Sequence, residues 1–161
     1  VADLGSLPIE EVPIPTRSRD ELPPVLRALQ FIYCTPELRD KVFAILEKKI
    51  KLYKMETPGM SLWEILCMGV IRLTLMANYD RLEYTVNYDE LVRAILGAQK
   101  FGTVKKMYAV QTLRDNVSLL DEEMLVEVND LLVSYGHVLK KKRKKPQQNN
   151  PVLALRSTVL L

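Results

Sequence analysis

The stretch NYDRLEYTVNYDEL, Asn78 to Leu91, contains the word Asn-Tyr-Asp-x-Leu twice. Asn78 and Asn87 are good helix N-caps, because a short side-chain carbonyl accepts from an amide that the first turn leaves unpaired. Asp80 and Asp89 then fall in a first turn, where the helix dipole favours a carboxylate. Leu82 and Leu91 follow at the fourth helical position, where a core contact is expected. Asn87 and Glu90 also have capping-box spacing. The repeat therefore predicts two short successive helices, about 79–86 and 88–96. Gly97 closes the second as a C′ glycine.

Immediately upstream, SLWE at Ser61 to Glu64 is a capping box, a hydroxyl followed three residues later by a carboxylate. The helix it opens, 62 to about 77, is apolar on nearly every side. That predicts the central helix of the domain, with Trp63 packed. A long buried helix followed by two short capped ones has the order of a helix-turn-helix-like trihelical unit. In such a unit the second short helix presents its N-terminal residues to bases. Tyr88, Glu90 and Arg93 are then the candidates for base contact, while Leu91, Ile95 and Leu96 are expected in the core.

Outward from this unit, Pro8, Pro13 and Pro15 predict an extended arm over 1–22, since each removes a backbone donor and disfavours helix before it. A short helix is expected over about 25–33. CTPEL then restarts the chain: Thr35 as N-cap, Pro36 at the first helical position, Glu37 in the first turn. Leu38, Val42, Ile45, Leu46 and Ile50 form one apolar stripe along 36–53, and Pro58 and Gly59 break it. Past Gly97 comes a basic loop with Lys100, Lys105 and Lys106, then a short helix over about 107–117. Asp121 or Ser118 caps a long helix striped by Leu125, Val128, Leu131, Leu132 and Tyr135, with Lys140 to Lys142 at its favourable C-terminal end. No stretch before 150 shows a period of two, although 151–161 has strand-like composition. The expected class is all-α: about five to seven helices in a compact domain over 23–139, an extended arm before it, and a flexible basic tail over 140–161.

The charge is unevenly placed. Sixteen of the 23 Lys and Arg share the first 139 residues with all 20 acids, a net −4, and the other seven give the last 22 residues +7. Lys140, Lys141, Lys142, Arg143, Lys144 and Lys145 are adjacent cations that repel one another and gain most from a polyanion. Contact with phosphates releases counterions, so such binding weakens steeply with salt. With Lys105 and Lys106, these six are the candidate phosphate contacts, which position a protein without specifying sequence. The acidic body confines any DNA contact to a local surface.

Other chemistry is poorly represented. There is one histidine, His137, and the cysteines Cys34 and Cys67 are far apart, with no Cys-x-x-Cys or His-x-x-x-His spacing. The scattered glycines form no phosphate-cradling loop, and no nucleophile–base motif occurs. No metal, cofactor or catalytic residue is therefore expected. Cys67, inside an apolar helix, reads as a buried reduced thiol of a cytosolic protein. The most apolar run, 62–77, is 16 residues long and holds Glu64 and Arg72. At ~1.5 Å per residue it falls short of a ~30 Å hydrocarbon core, so no membrane span is expected.

The stretch GMSLWEILCMGVIRLTLMANYDRLEYTVNYDELVRAILG, Gly59 to Gly97, resembles the N-terminal region of bacterial insertion-sequence transposases of the DDE type. There an apolar Trp-containing helix runs into a Tyr-x-x-Leu helix, and a segment ending Leu-Arg-x-x-Leu-Gly follows, here LVRAILG from Leu91 to Gly97. Gln111 to His137 resembles the next segment, so the likeness covers roughly 20–140. The resemblance implies a helical DNA-binding and oligomerisation region that recognises the terminal repeats of a mobile element. The family's catalytic domain, with three metal-holding carboxylates, has no counterpart, because residues 131–161 contain no Asp or Glu. The expectation is a non-enzymatic, truncated, interrupted or frameshifted transposase, or a fragment of one, cytoplasmic and nucleoid-associated. The alternative is a helical interaction module that forms a homodimer, or a heteromer with an intact transposase that it regulates, through Leu125, Leu132 and their neighbours.

Overall fold

Seven helices make up the described part of the chain: α1 Leu22–Cys34, α2 Pro36–Tyr53, α3 Leu62–Leu75, α4 Tyr79–Tyr88, α5 Glu90–Leu96, α6 Val110–Val117 and α7 Glu122–Lys142. The structure, a computed structural model, describes residues 7–53, 60–98 and 106–142, with side chains over 7–50, 60–98 and 106–136. No strand occurs among the described residues, and the class is all-α, as the helical periods predict.

At the centre lies α3, whose residues Trp63 to Ile71 are all buried. Its capping box forms as predicted: Ser61 Oγ accepts from the Glu64 amide, and the Glu64 carboxylate accepts from the Ser61 amide. Helices α1, α2, α4, α5 and α6 all pack on it. Trp63 donates its indole N–H to the Ile95 carbonyl at 2.8 Å, which ties α3 to α5. Gly69 allows a close approach, since a Cβ there would meet Leu120 Cδ2 at 2.1 Å. Cys67 is fully buried, and loss of hydration pushes its thiol well above the ordinary range.

Two helix ends reverse through left-handed backbone. Gly97, at φ +69°, ends α5 as predicted. Met76 ends α3 at φ 49° with its side chain 91% exposed, an unusual choice where a Cβ is disfavoured. Beyond it the chain bends by 118° into α4.

Elsewhere α2 has its predicted span, and the cap of α7 is Asp121, which accepts from the Met124 amide at 2.8 Å. Helix α1 begins earlier than predicted. Pro23 and Pro24 occupy its first turn, where a missing N–H costs nothing, so the helix starts at Leu22. The segment before it is docked on the body. Val12 is buried, Ile9–Glu11 form a 3-10 turn, and Gln30 donates to the carbonyls of Ile9 and Val12 at 2.9 Å each. The backbone of α7 stays helical across 139 as far as Lys142. The calls on 1–6, on Pro58 and Gly59 as breakers, on residues 99–105, on the side chains of 137–142 and on 143–161 lie outside the described residues. No single helix among the described residues is long and apolar enough to cross a membrane.

Candidate functional site

The elbow between α4 and α5 departs from the sequence reading, and the departure relocates the candidate site. Helix α4 runs through Asn87 to Tyr88, and the cap of α5 falls to Asp89, whose Oδ1 accepts from the Val92 amide at 3.0 Å. Two capping side chains stand two residues apart, and tertiary demand chooses between them. Asp offers only acceptors, whereas Asn offers a donor and an acceptor. Buried Asn87 uses both on the backbone of one residue, Tyr108: its Nδ2 donates to the carbonyl at 2.9 Å, and its Oδ1 accepts from the amide at 2.8 Å.

Arg93 is corrected from base contact to core residue. It is 1% exposed, and its guanidinium donates to the Val86 carbonyl at 2.9 Å and to the Lys106 carbonyl. Val86 lies in the last turn of α4, where carbonyls lack an intrahelical donor. The arginine thus closes a helix end and holds the returning chain. Burial lowers its pKa from the ordinary arginine value.

Lys106 stays exposed, but its ammonium also pairs with Glu64 Oε2 at 2.8 Å, a partner inside the chain. Tyr108 donates its hydroxyl to the same oxygen, while Ser61 holds the other carboxylate oxygen. Burial alone would raise the Glu64 pKa, but the hydrogen bonds from Lys106, Tyr108 and Ser61 outweigh it and hold the carboxyl below its ordinary value. The Tyr108 phenol is driven up by burial and by its bond to the Glu64 carboxylate. Glu64, Asn87, Arg93, Lys106 and Tyr108 therefore form a polar latch that seats 106–108 on α3, α4 and α5. Sequence reasoning saw Glu64 as half of a capping box and as a charge in the apolar run, took Asn87 for an N-cap, and missed Tyr108. The available signal was a carboxylate inside the most apolar helix, which demands partners.

With α5 turned inward, the outward face belongs to α4. Arg81, Tyr84 and Tyr88 are exposed and share one helical face at steps of three and four. They touch in a row: the Arg81 guanidinium lies 5.9 Å from the Tyr84 ring centre, and the Tyr84 and Tyr88 rings are 5.1 Å apart. Leu82, Thr85 and Val86 hold the opposite face in the core. Tyr88 is thus accessible, but as the end of α4 rather than the start of α5. Glu90 is exposed in the first turn of α5. Lys140, Lys141 and Lys142 have helical backbone on α7, and Lys105, Arg143, Lys144 and Lys145 lie outside the described residues. The dimer face expected at Leu125 and Leu132 is also corrected: both are buried within the chain's own core, on the helix that packs against α2.

On the exposed face of α4 this arrangement brings together a cation and two aromatic rings. No protein-family model, curated protein or solved structure matches the chain.

Proposed function

We propose that the chain is the helical DNA-binding and oligomerisation part of an insertion-sequence transposase, acting in the cytoplasm at the nucleoid on the terminal repeats of its element. The single observation that supports this best is the α3–α4 elbow. A three-residue connection, Met76 to Asn78, turns the chain by 118° from a buried support helix into a short helix with an exposed face. Helix-turn-helix units join their helices at about 90–120° through turns of similar length. In this reading α4, not α5, enters the groove. Arg81 suits an acceptor edge of guanine, and the tyrosines suit phosphate, sugar or exposed base faces. The cation run that starts on α7 supplies the sequence-independent attraction.

In this reading the chain binds DNA and leaves its cutting to other machinery. The test is anisotropy of a labelled terminal-repeat duplex titrated with the full chain over a range of salt. A steep fall in affinity with salt is expected, with a slope reduced by several units when the six cations of 140–145 become glutamine, at about 0.9 per phosphate lost. A chain that binds no DNA at low salt, or one whose affinity ignores salt, contradicts the proposal.

A further inference from the structure

The start of α4 carries cations that belong neither to its outward row nor to the tail. Tyr79, half-buried, receives two guanidiniums: that of Arg72 from α3 lies 4.4 Å from the ring centre, and that of Arg114 from α6 lies 5.8 Å from it. The two cations are therefore no farther apart than those distances combined. Like charges gathered on one ring repel, and a bridging carboxylate is the ordinary relief. None is present among the described residues. Asp80 and Asp115, which directly follow Tyr79 and Arg114, form no ion pair with either arginine, and Asp115 accepts from Gln111 instead. Arg72 Nε is also buried without an acceptor, which works against stability.

An aromatic face holds a guanidinium without using its in-plane N–H donors. The outer edges of the two forks thus remain available, and that planar edge matches phosphate oxygens in pairs. Tyr79 is the first residue of α4, so the pair stands at the positive end of that helix, which further favours an anion. We infer that Arg72, Tyr79 and Arg114 form a clamp for one backbone phosphate of DNA, fixing the register in which α4 meets the groove. The inference rests on the DNA-binding reading above.

Full-length R72Q, R114Q, R72Q/R114Q and R72K/R114K chains, each with the natural tail and with the cations of 140–145 replaced by glutamine, are titrated against a short labelled duplex at several salt concentrations. The double glutamine chain is expected to bind about tenfold more weakly, with the salt slope smaller by about one, in both tail backgrounds. Its helical signal and Tm stay near those of the parent. The double lysine chain recovers the slope but not the whole affinity, because charge returns without the fork. An unchanged slope and affinity in R72Q/R114Q, beside a reduced slope in the tail variant, refutes the clamp and leaves the DNA reading standing. Absence of salt-sensitive binding by the parent chain removes both. Should the double variant unfold, R114Q alone, at an exposed position, decides the matter by the same slope.

Discussion

The two copies of Asn-Tyr-Asp-x-Leu have the same letters and opposite fates. In the first, Asn78 caps α4 by accepting from the Arg81 amide at 2.8 Å, Tyr79 lies under arginines, and Leu82 is fully buried. In the second, Asn87 is inside a helix and holds Tyr108, Tyr88 is 58% exposed, Asp89 is the cap, and Leu91 is half-buried. The difference is what lies opposite. Among the described residues no other group claims the Asn78 side chain, so it serves its own helix. A returning segment at 106–108 competes for Asn87, and the buried peptide wins because its unpaired groups are costlier than an empty cap with Asp89 in reserve.

Changing the two asparagines measures that contrast directly. Asn87→Ala strands a buried N–H and a buried carbonyl, and is expected to destabilise by about 3 kcal/mol. Chemical denaturation reads this as a lower midpoint. Asn78→Ala removes only a cap, worth about 1 kcal/mol. Equal losses at the two sites would erase the distinction.

Between these extremes lies the pH behaviour of the latch. The Glu64 pKa is lowered in the folded chain, so its contribution is complete above the unfolded carboxylate value and is lost as pH falls through the folded one. Tyr108 has the opposite sense. Its folded pKa is raised, so stability is retained below the unfolded tyrosine value and falls at higher pH, where the unfolded chain alone ionises. Tm measured against pH should decline on both flanks. Glu64→Gln should flatten the acid flank, and an acid flank identical to the parent's would exclude Glu64 as its source. The smallest effect is expected at Tyr88→Ala, within about 0.5 kcal/mol in stability, because its ring is largely in solvent. A large loss there would mean that the second tyrosine is structural after all.

What was readable in advance was local. Ser61, Asn78, Asp121 and Gly97 act within a few residues of themselves, and their helix ends followed from side-chain chemistry alone. The stripe of α2 and the burial of α3 followed from periodicity. Arg93 and Asn87 were misread, and the partner of Lys106 was missed, because the partners of the three lie 13, 21 and 42 residues away. An arginine in a short helix looks like a surface cation until a distant carbonyl claims it. The row Arg81, Tyr84, Tyr88 was hidden by the same error: ending the helix at 86 separates Tyr88 from the face it completes.

The central claim is that α4 offers the outward face while α5 is internal. Its most direct test is the affinity of a labelled terminal-repeat duplex for the full chain bearing R81Q, Y84A and Y88A together, with Tm measured alongside. Binding weaker by about tenfold or more at nearly unchanged Tm is the predicted result. Parental affinity in a variant that keeps its fold would contradict it.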